Sequence, residues 1–283
     1  MTEPTLAVTG ATGHVGGLVA GHLDAAGRAH RLLVRDPAGP RVPRLASVSA
    51  VERIAYADHD LSLAALRGVD VLLMVSGHES ATRAAEHATF VDAAAQAGVR
   101  HVVYTSFAAA APDATFTLAR DHHATEEHVK ASGMAWTFLR DTFYIDFMEA
   151  LVGEDGVIRG PAGDGRCAVV ARADVARVAA TVLLDPDAHA GATYDVTGPE
   201  ALSMGDVARI IGEVRGRTAT FHDETVEEAY ASRASYDAPR WQLDAWVSTY
   251  TAIASGVMAE PSDAVERVTG VPPTDLRGFL QGR

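Results

Sequence analysis

Thr9-Gly10-Ala11-Thr12-Gly13-His14-Val15-Gly16 is the stretch on which the reading of this 283-residue chain turns. It follows a short apolar run, Leu6–Val8, and opens an alanine-rich amphipathic stretch near Val15–Ala26. A strand that turns into a helix through glycines presents backbone N–H groups at a positive helix end. The glycines permit the tight turn and let a pyrophosphate approach the backbone. Such a loop standing alone is often only a turn. Here it sits on the first strand of a long alternation, which assigns Gly10, Thr12, Gly13, His14, Val15 and Gly16 to dinucleotide binding.

Outward from the loop, short apolar runs alternate with helical ones. Arg31–Val34, Val51–Ala55, Val69–Val75, His101–Tyr104 and Trp136–Leu139 read as further strands, apolar almost throughout as strands covered on both faces must be. Helices are expected near Leu61–Leu66, Ala81–Ala97 and Leu118–Ala131, with Gly27, Gly98 and Gly133 at left-handed ends. The rhythm predicts an α/β fold, a Rossmann-type doubly wound parallel sheet with ligands at the carboxyl ends of its strands. Residues 1–150 form the expected NAD(P)-binding domain, and 165–200 return to it through a helix from Asp174 to Leu184 and a strand at Thr193–Val196. Gly153–Gly165, with five glycines and one proline, reads as a loop or hairpin. Residues 201–283 read as a smaller, mainly helical substrate region.

Composition narrows the function classes. With 24 basic against 37 acidic residues the formal net charge is −13, which repels nucleic acid and anionic lipid. Cys167 is the one cysteine, so intrachain disulfides and cysteine-rich zinc sites are excluded. No apolar run approaches the ~20 residues that span a bilayer, and the first residues do not resemble a signal peptide. The expectation is a soluble, cytoplasmic protein, with its oligomeric state left open.

The spacing Gly-x-x-Gly-x-x-Gly resembles the extended and atypical short-chain dehydrogenase/reductases. Val34-Arg35-Asp36-Pro37, Ala57-Asp58, Val103-Tyr104-Thr105-Ser106, Thr137-Phe138-Leu139-Arg140, Ala162-Gly163-Asp164-Gly165 and Ala171-Arg172-Ala173-Asp174 are similar to the NmrA-like branch. Within it the resemblance is to type 2 NAD(P)H:quinone oxidoreductases, over residues 5–200. That resemblance implies cofactor contacts from Asp58 and His59 at the adenine, Ser76 and Gly77 beneath the ribose and nicotinamide, and Thr142 and Phe143 over the nicotinamide. Asp58 has an alternative role as a helix cap. An arginine at the end of the second strand accommodates a 2′-phosphate; Arg35 stands there, and NADPH is the expected cofactor. Asp36 beside it either caps the turn into Pro37 or accepts from the ribose and admits NADH.

Standard members of the superfamily move a proton with a tyrosine and a lysine one helical turn apart. Lys130 is the only lysine, Glu126 stands four residues before it, and no tyrosine lies between Tyr104 and Tyr144. Alignment of the helix places His122 and Glu126 where the pair would be. His122 is a candidate proton donor, oriented by Glu126, or else half of an exposed i,i+4 pair. Ser106 is the second catalytic candidate, against a structural role at the strand end. Phe107, Tyr144 and Phe147 are candidate walls for a planar substrate, against ordinary core packing. No metal site is expected. The function implied is hydride transfer from NADPH to a quinone or similar conjugated carbonyl. Its rivals are a redox-sensing, dinucleotide-binding regulator without turnover, and a tailoring ketoreductase acting on an aromatic polyketide-like substrate.

Overall fold

The computed structural model describes residues 3–282, which divide into two compact units. The first comprises the chain through Phe107, then Asp121–Arg140 and Val175–Asp195. Its strands β1 (Leu6–Thr9), β2 (His30–Val34), β3 (Val48–Arg53), β4 (Val71–Met74), β5 (His101–Phe107) and β6 (Ala135–Asp141) form one sheet with Ala192–Val196. The order β3-β2-β1-β4-β5-β6 then Ala192–Val196 reverses direction at β1, the switch point of a doubly wound fold. β1 pairs in parallel with β2 and β4, β2 with β3, and β4 with β5.

Alternation along the strands explains why both faces are covered. Ala7, Leu33, Leu72, Met74, Val102 and Tyr104 share one apolar cluster with residues of two helices, α2 (His59–Leu66) and α3 (Arg83–Ala97). Leu6, Val8 and Leu32, which alternation turns to the other face, are fully buried as well. The remaining helices α1 (His14–Ala25) and α4 (Thr117–Ala131) lie within a residue or two of their expected bounds. Gly27, Gly98 and Gly133 take φ of 67°, 86° and 80°, the left-handed region that a Cβ disfavours.

The second unit comprises Ala108–Arg120, Asp141–Asp174 and the chain from Val196 onward. The division departs from boundaries at 150 and 200: of the segment 165–200, the first unit takes Val175–Asp195. The glycine-rich stretch is neither a bare loop nor a hairpin. Val157–Gly160 within it pairs in parallel with Thr220–Asp223, and Arg166–Cys167 pairs antiparallel with Leu202–Ser203. Helices Met204–Arg215 and Val226–Arg233 begin with reciprocal capping boxes, Ser203 with Asp206 and Thr225 with Glu228. No helix among the described residues is long and apolar enough to cross a membrane.

Candidate active site

The loop after β1 is built around its first and third glycines. Gly10 has φ 65°, and the Gly13 N–H closes the turn on the Gly10 carbonyl at 2.8 Å. A Cβ on Gly16 would stand 2.5 Å from the backbone of Gly10, so only glycine lets α1 seat against the loop. Gly13 is the N-cap of α1 and supplies no side-chain cap. First-turn amides without such a cap, together with the helix dipole, make an anion site. Gly10, Gly13 and His14 are exposed there, Thr12 is partly exposed, and Val15 is buried. The donor set fits a dinucleotide pyrophosphate.

At the end of β2 the two readings of Asp36 are separated by geometry. Its Oδ1 accepts from the Ala38 N–H at 3.0 Å, and its carbonyl accepts from Gly39, so it caps the turn. Arg35 beside it is exposed. Asp58 caps α2, accepting from the Leu61 N–H at 3.0 Å, and His59 pairs with Asp60. One Asp58 oxygen is thereby committed to the fold.

Beyond β4, three successive backbone N–H groups are each held by a side chain. Val75 donates to Thr9 Oγ1, Ser76 to Thr105 Oγ1 and Gly77 to His87 Nε2, at 2.8, 2.8 and 2.9 Å. Tyr56 donates to the Val75 carbonyl at 2.7 Å and stacks on Phe90. The amides of Ser76 and Gly77 are therefore occupied, and what this segment offers a ligand is a fixed position and little bulk.

His87 Nε2 accepts from an amide, so its proton sits on Nδ1 and is donated to Thr125 Oγ1 at 2.9 Å. The ring is fully buried, and burial, then the Arg83 charge, pushes its pKa down to about 3. His122 is built the same way. Arg83 Nη2 can only donate, so His122 Nε2 accepts it at 2.6 Å, and the protonated Nδ1 donates to the Tyr104 hydroxyl at 2.9 Å. Burial foremost, then Arg83 and His87, hold His122 well below the usual histidine range. It is 5% exposed, so the exposed-pair alternative fails.

Glu126 does not orient His122 either. Fully buried, it accepts two hydrogen bonds from Arg140, at 2.8 and 2.6 Å, and one from Ser106 Oγ at 2.6 Å. The one proton of Ser106 is spent on that carboxylate, and the residue is 1% exposed. Phe107 is 7% exposed, its ring 6.0 Å from that of His122. Arg83, Tyr104, His87 and Arg140 were missed by sequence reasoning. The signal for Arg140 was its place in the quoted Thr137–Arg140 motif; nothing local marks Arg83. No cluster of metal ligands occurs among the described residues.

The other candidates belong to the second unit. Thr142 is buried and donates to the Ala168 carbonyl at 2.6 Å, so its hydroxyl serves the fold. Phe143 meets Phe116 edge-on at 5.3 Å. The Tyr144 hydroxyl donates to Asp141, its ring carries the Arg172 guanidinium at 4.8 Å, and burial with Asp141 raises its pKa. Phe147 is 55% exposed.

Comparison with known proteins agrees with this architecture. The chain is 30% identical over 276 residues to quinone oxidoreductase 2 of Escherichia coli, covering 96% of each chain. It is 31% identical to the NAD(P)H azoreductase of Xenophilus azovorans, over 97% of this chain and 96% of that one. The crystal structure of the E. coli NADPH-dependent quinone oxidoreductase with NADPH superposes with a TM-score of 0.88 at 30% identity, over 98% of this chain and 99% of that one. The model of the NmrA-like family matches residues 2–240, and the chain belongs to that family.

Proposed function

We propose that this protein is an NADPH-dependent oxidoreductase whose acceptor is a quinone or a similarly conjugated carbonyl compound. The uncapped amino end of α1, Arg35, and Asp36 turned back into its own loop support the phosphorylated cofactor. The solved relative holds NADPH, and the curated relatives are named for quinone and azo reduction. When bound, the nicotinamide supplies the hydride.

The choice of acceptor rests on one observation: the protons of His122 and Ser106 are already committed inside the fold. A ketone that accepts hydride becomes a strongly basic alkoxide, for which a positioned acid is worth ~10²–10⁴-fold. A quinone becomes a resonance-stabilised hydroquinone anion that water protonates unaided. The residues of the first unit thus contribute binding, orientation and a rigid floor. Thr9, Thr105 and His87 fix the backbone at 75–77, and Arg140 with Glu126 fixes the end of β6 against α4. The test is loss of NADPH absorbance against a panel of quinones and aromatic ketones. Turnover confined to conjugated acceptors is expected. Turnover of simple ketones, lost in His122→Ala, would transfer the assignment to a ketoreductase, and tight binding without turnover on any acceptor would transfer it to a sensor.

A further inference from the structure

Four arginines cluster between the end of β2 and the end of β3: Arg35, Arg41, Arg44 and Arg53. All four are exposed, and among the described residues none makes an ion pair or a side-chain hydrogen bond. Elsewhere the arginines of this acidic chain are matched: Arg100, Arg140, Arg159, Arg209, Arg215 and Arg233 each hold a carboxylate. The cluster therefore stands out against a net charge of −13.

Strand pairing decides which of the four lies beside Arg35. The connection between β2 and β3 must return to the opposite end of the sheet, because the two strands are parallel and Val48 pairs near His30. Arg44 is carried toward that far end. Arg53, by contrast, is the last residue of β3 and is in register with Val34, the residue before Arg35. The Ile54 N–H donates to the Val34 carbonyl at 2.9 Å, locking the level of the two strand ends. Neighbouring strands lie ~4.8 Å apart, so two guanidinium groups are anchored side by side at the carboxyl edge.

Like charges on adjacent strand ends repel unless something offsets them. The two local carboxylates do not. Asp36 is spent on the Ala38 amide. Glu52, one residue from Arg53, is turned by the pleat to the other face, the one on which Ile54 joins the core. What remains to neutralise the pair is a dianionic ligand at the end of β2.

We infer that Arg53 is a second specificity-determining residue for the 2′-phosphate of the cofactor, acting with Arg35 from the neighbouring strand. This rests on the NADPH reading above. The test is equilibrium binding by calorimetry with NADP⁺, NAD⁺ and the fragment 2′,5′-ADP, for the wild type, Arg35→Ala, Arg53→Ala and Arg53→Lys. Arg53→Ala should weaken NADP⁺ and 2′,5′-ADP about fivefold, the scale of one solvent-exposed ion pair, and leave NAD⁺ within twofold. Arg53→Lys should restore most of the loss. If Arg35→Ala loses NADP⁺ selectively while Arg53→Ala shifts both dinucleotides equally or neither, the assignment of Arg53 is overturned and the cofactor reading stands. A wild type that binds NAD⁺ as tightly as NADP⁺ overturns both.

Discussion

Acid should unfold this protein through two histidines well before its carboxylates matter. His87 is buried as a neutral ring with a pKa near 3, whereas in the unfolded chain it titrates near the model value of 6.5. The folded state therefore refuses a proton that the unfolded state accepts. Stability is full above about pH 6.5 and falls as the pH drops from there toward 3. At pH 5 the gap of 1.5 units costs about 2 kcal/mol, at 1.36 kcal/mol per unit. His122 is displaced in the same direction by burial and by Arg83, and staying neutral at pH 5 adds about 2 kcal/mol more. A loss of about 4 kcal/mol is a large share of the ~5–15 kcal/mol that holds a domain together. The lowered carboxylates, Asp24 and Asp70 among them, lose their contributions only nearer their ordinary range, below this window. The assay is the urea midpoint from pH 8 to pH 5, followed by tryptophan fluorescence. His87→Gln and His122→Gln should each start from a lower midpoint at pH 8 and show a flatter decline. A wild-type midpoint that is the same at pH 8 and pH 5, or an undiminished slope in both variants, would refute the buried neutral rings.

Gly16→Ala places a methyl 2.5 Å from the Gly10 backbone, so NADP⁺ affinity should fall at least tenfold by calorimetry. Gly21→Ala, whose new methyl meets nothing within 4 Å, should instead stabilise the helix by ~0.5–1 kcal/mol in urea. Glu126→Gln weakens the contacts to Arg140 and Ser106. With Arg140 about a quarter exposed it should cost about 2 kcal/mol of stability, and an unchanged midpoint would show that the pair contributes nothing. His122→Ala should keep quinone reduction within roughly tenfold, below the general-acid range, and neither it nor the wild type should show a rate ionisation near the histidine pKa. A thousandfold loss with the fold intact would make His122 the proton donor.

Local chemistry wrote much of this fold into the chain. The strand–glycine–helix turn at 9–16 depends on a Cβ that is absent and on a left-handed φ, both properties of single residues. Gly27, Gly98 and Gly133 ended their helices for the same reason, and the apolar runs became strands because a sheet covered on both faces has no polar side. Tertiary structure decided the rest. Sequence spacing could pair His122 with Glu126 one turn away, but it could not see Arg83, 39 residues distant, or Arg140 on another strand. Those partners turned an apparent acid–base couple into two separate buried networks. The stretch 153–165 looked like a loop because its strand has its only partner at Thr220–Asp223. A backbone hydrogen bond across 60 residues leaves no trace in local composition. Periodicity and glycine placement report what a residue does to its own backbone; burial, proton ownership and charge pairing are settled by whichever side chains the folded chain brings beside it.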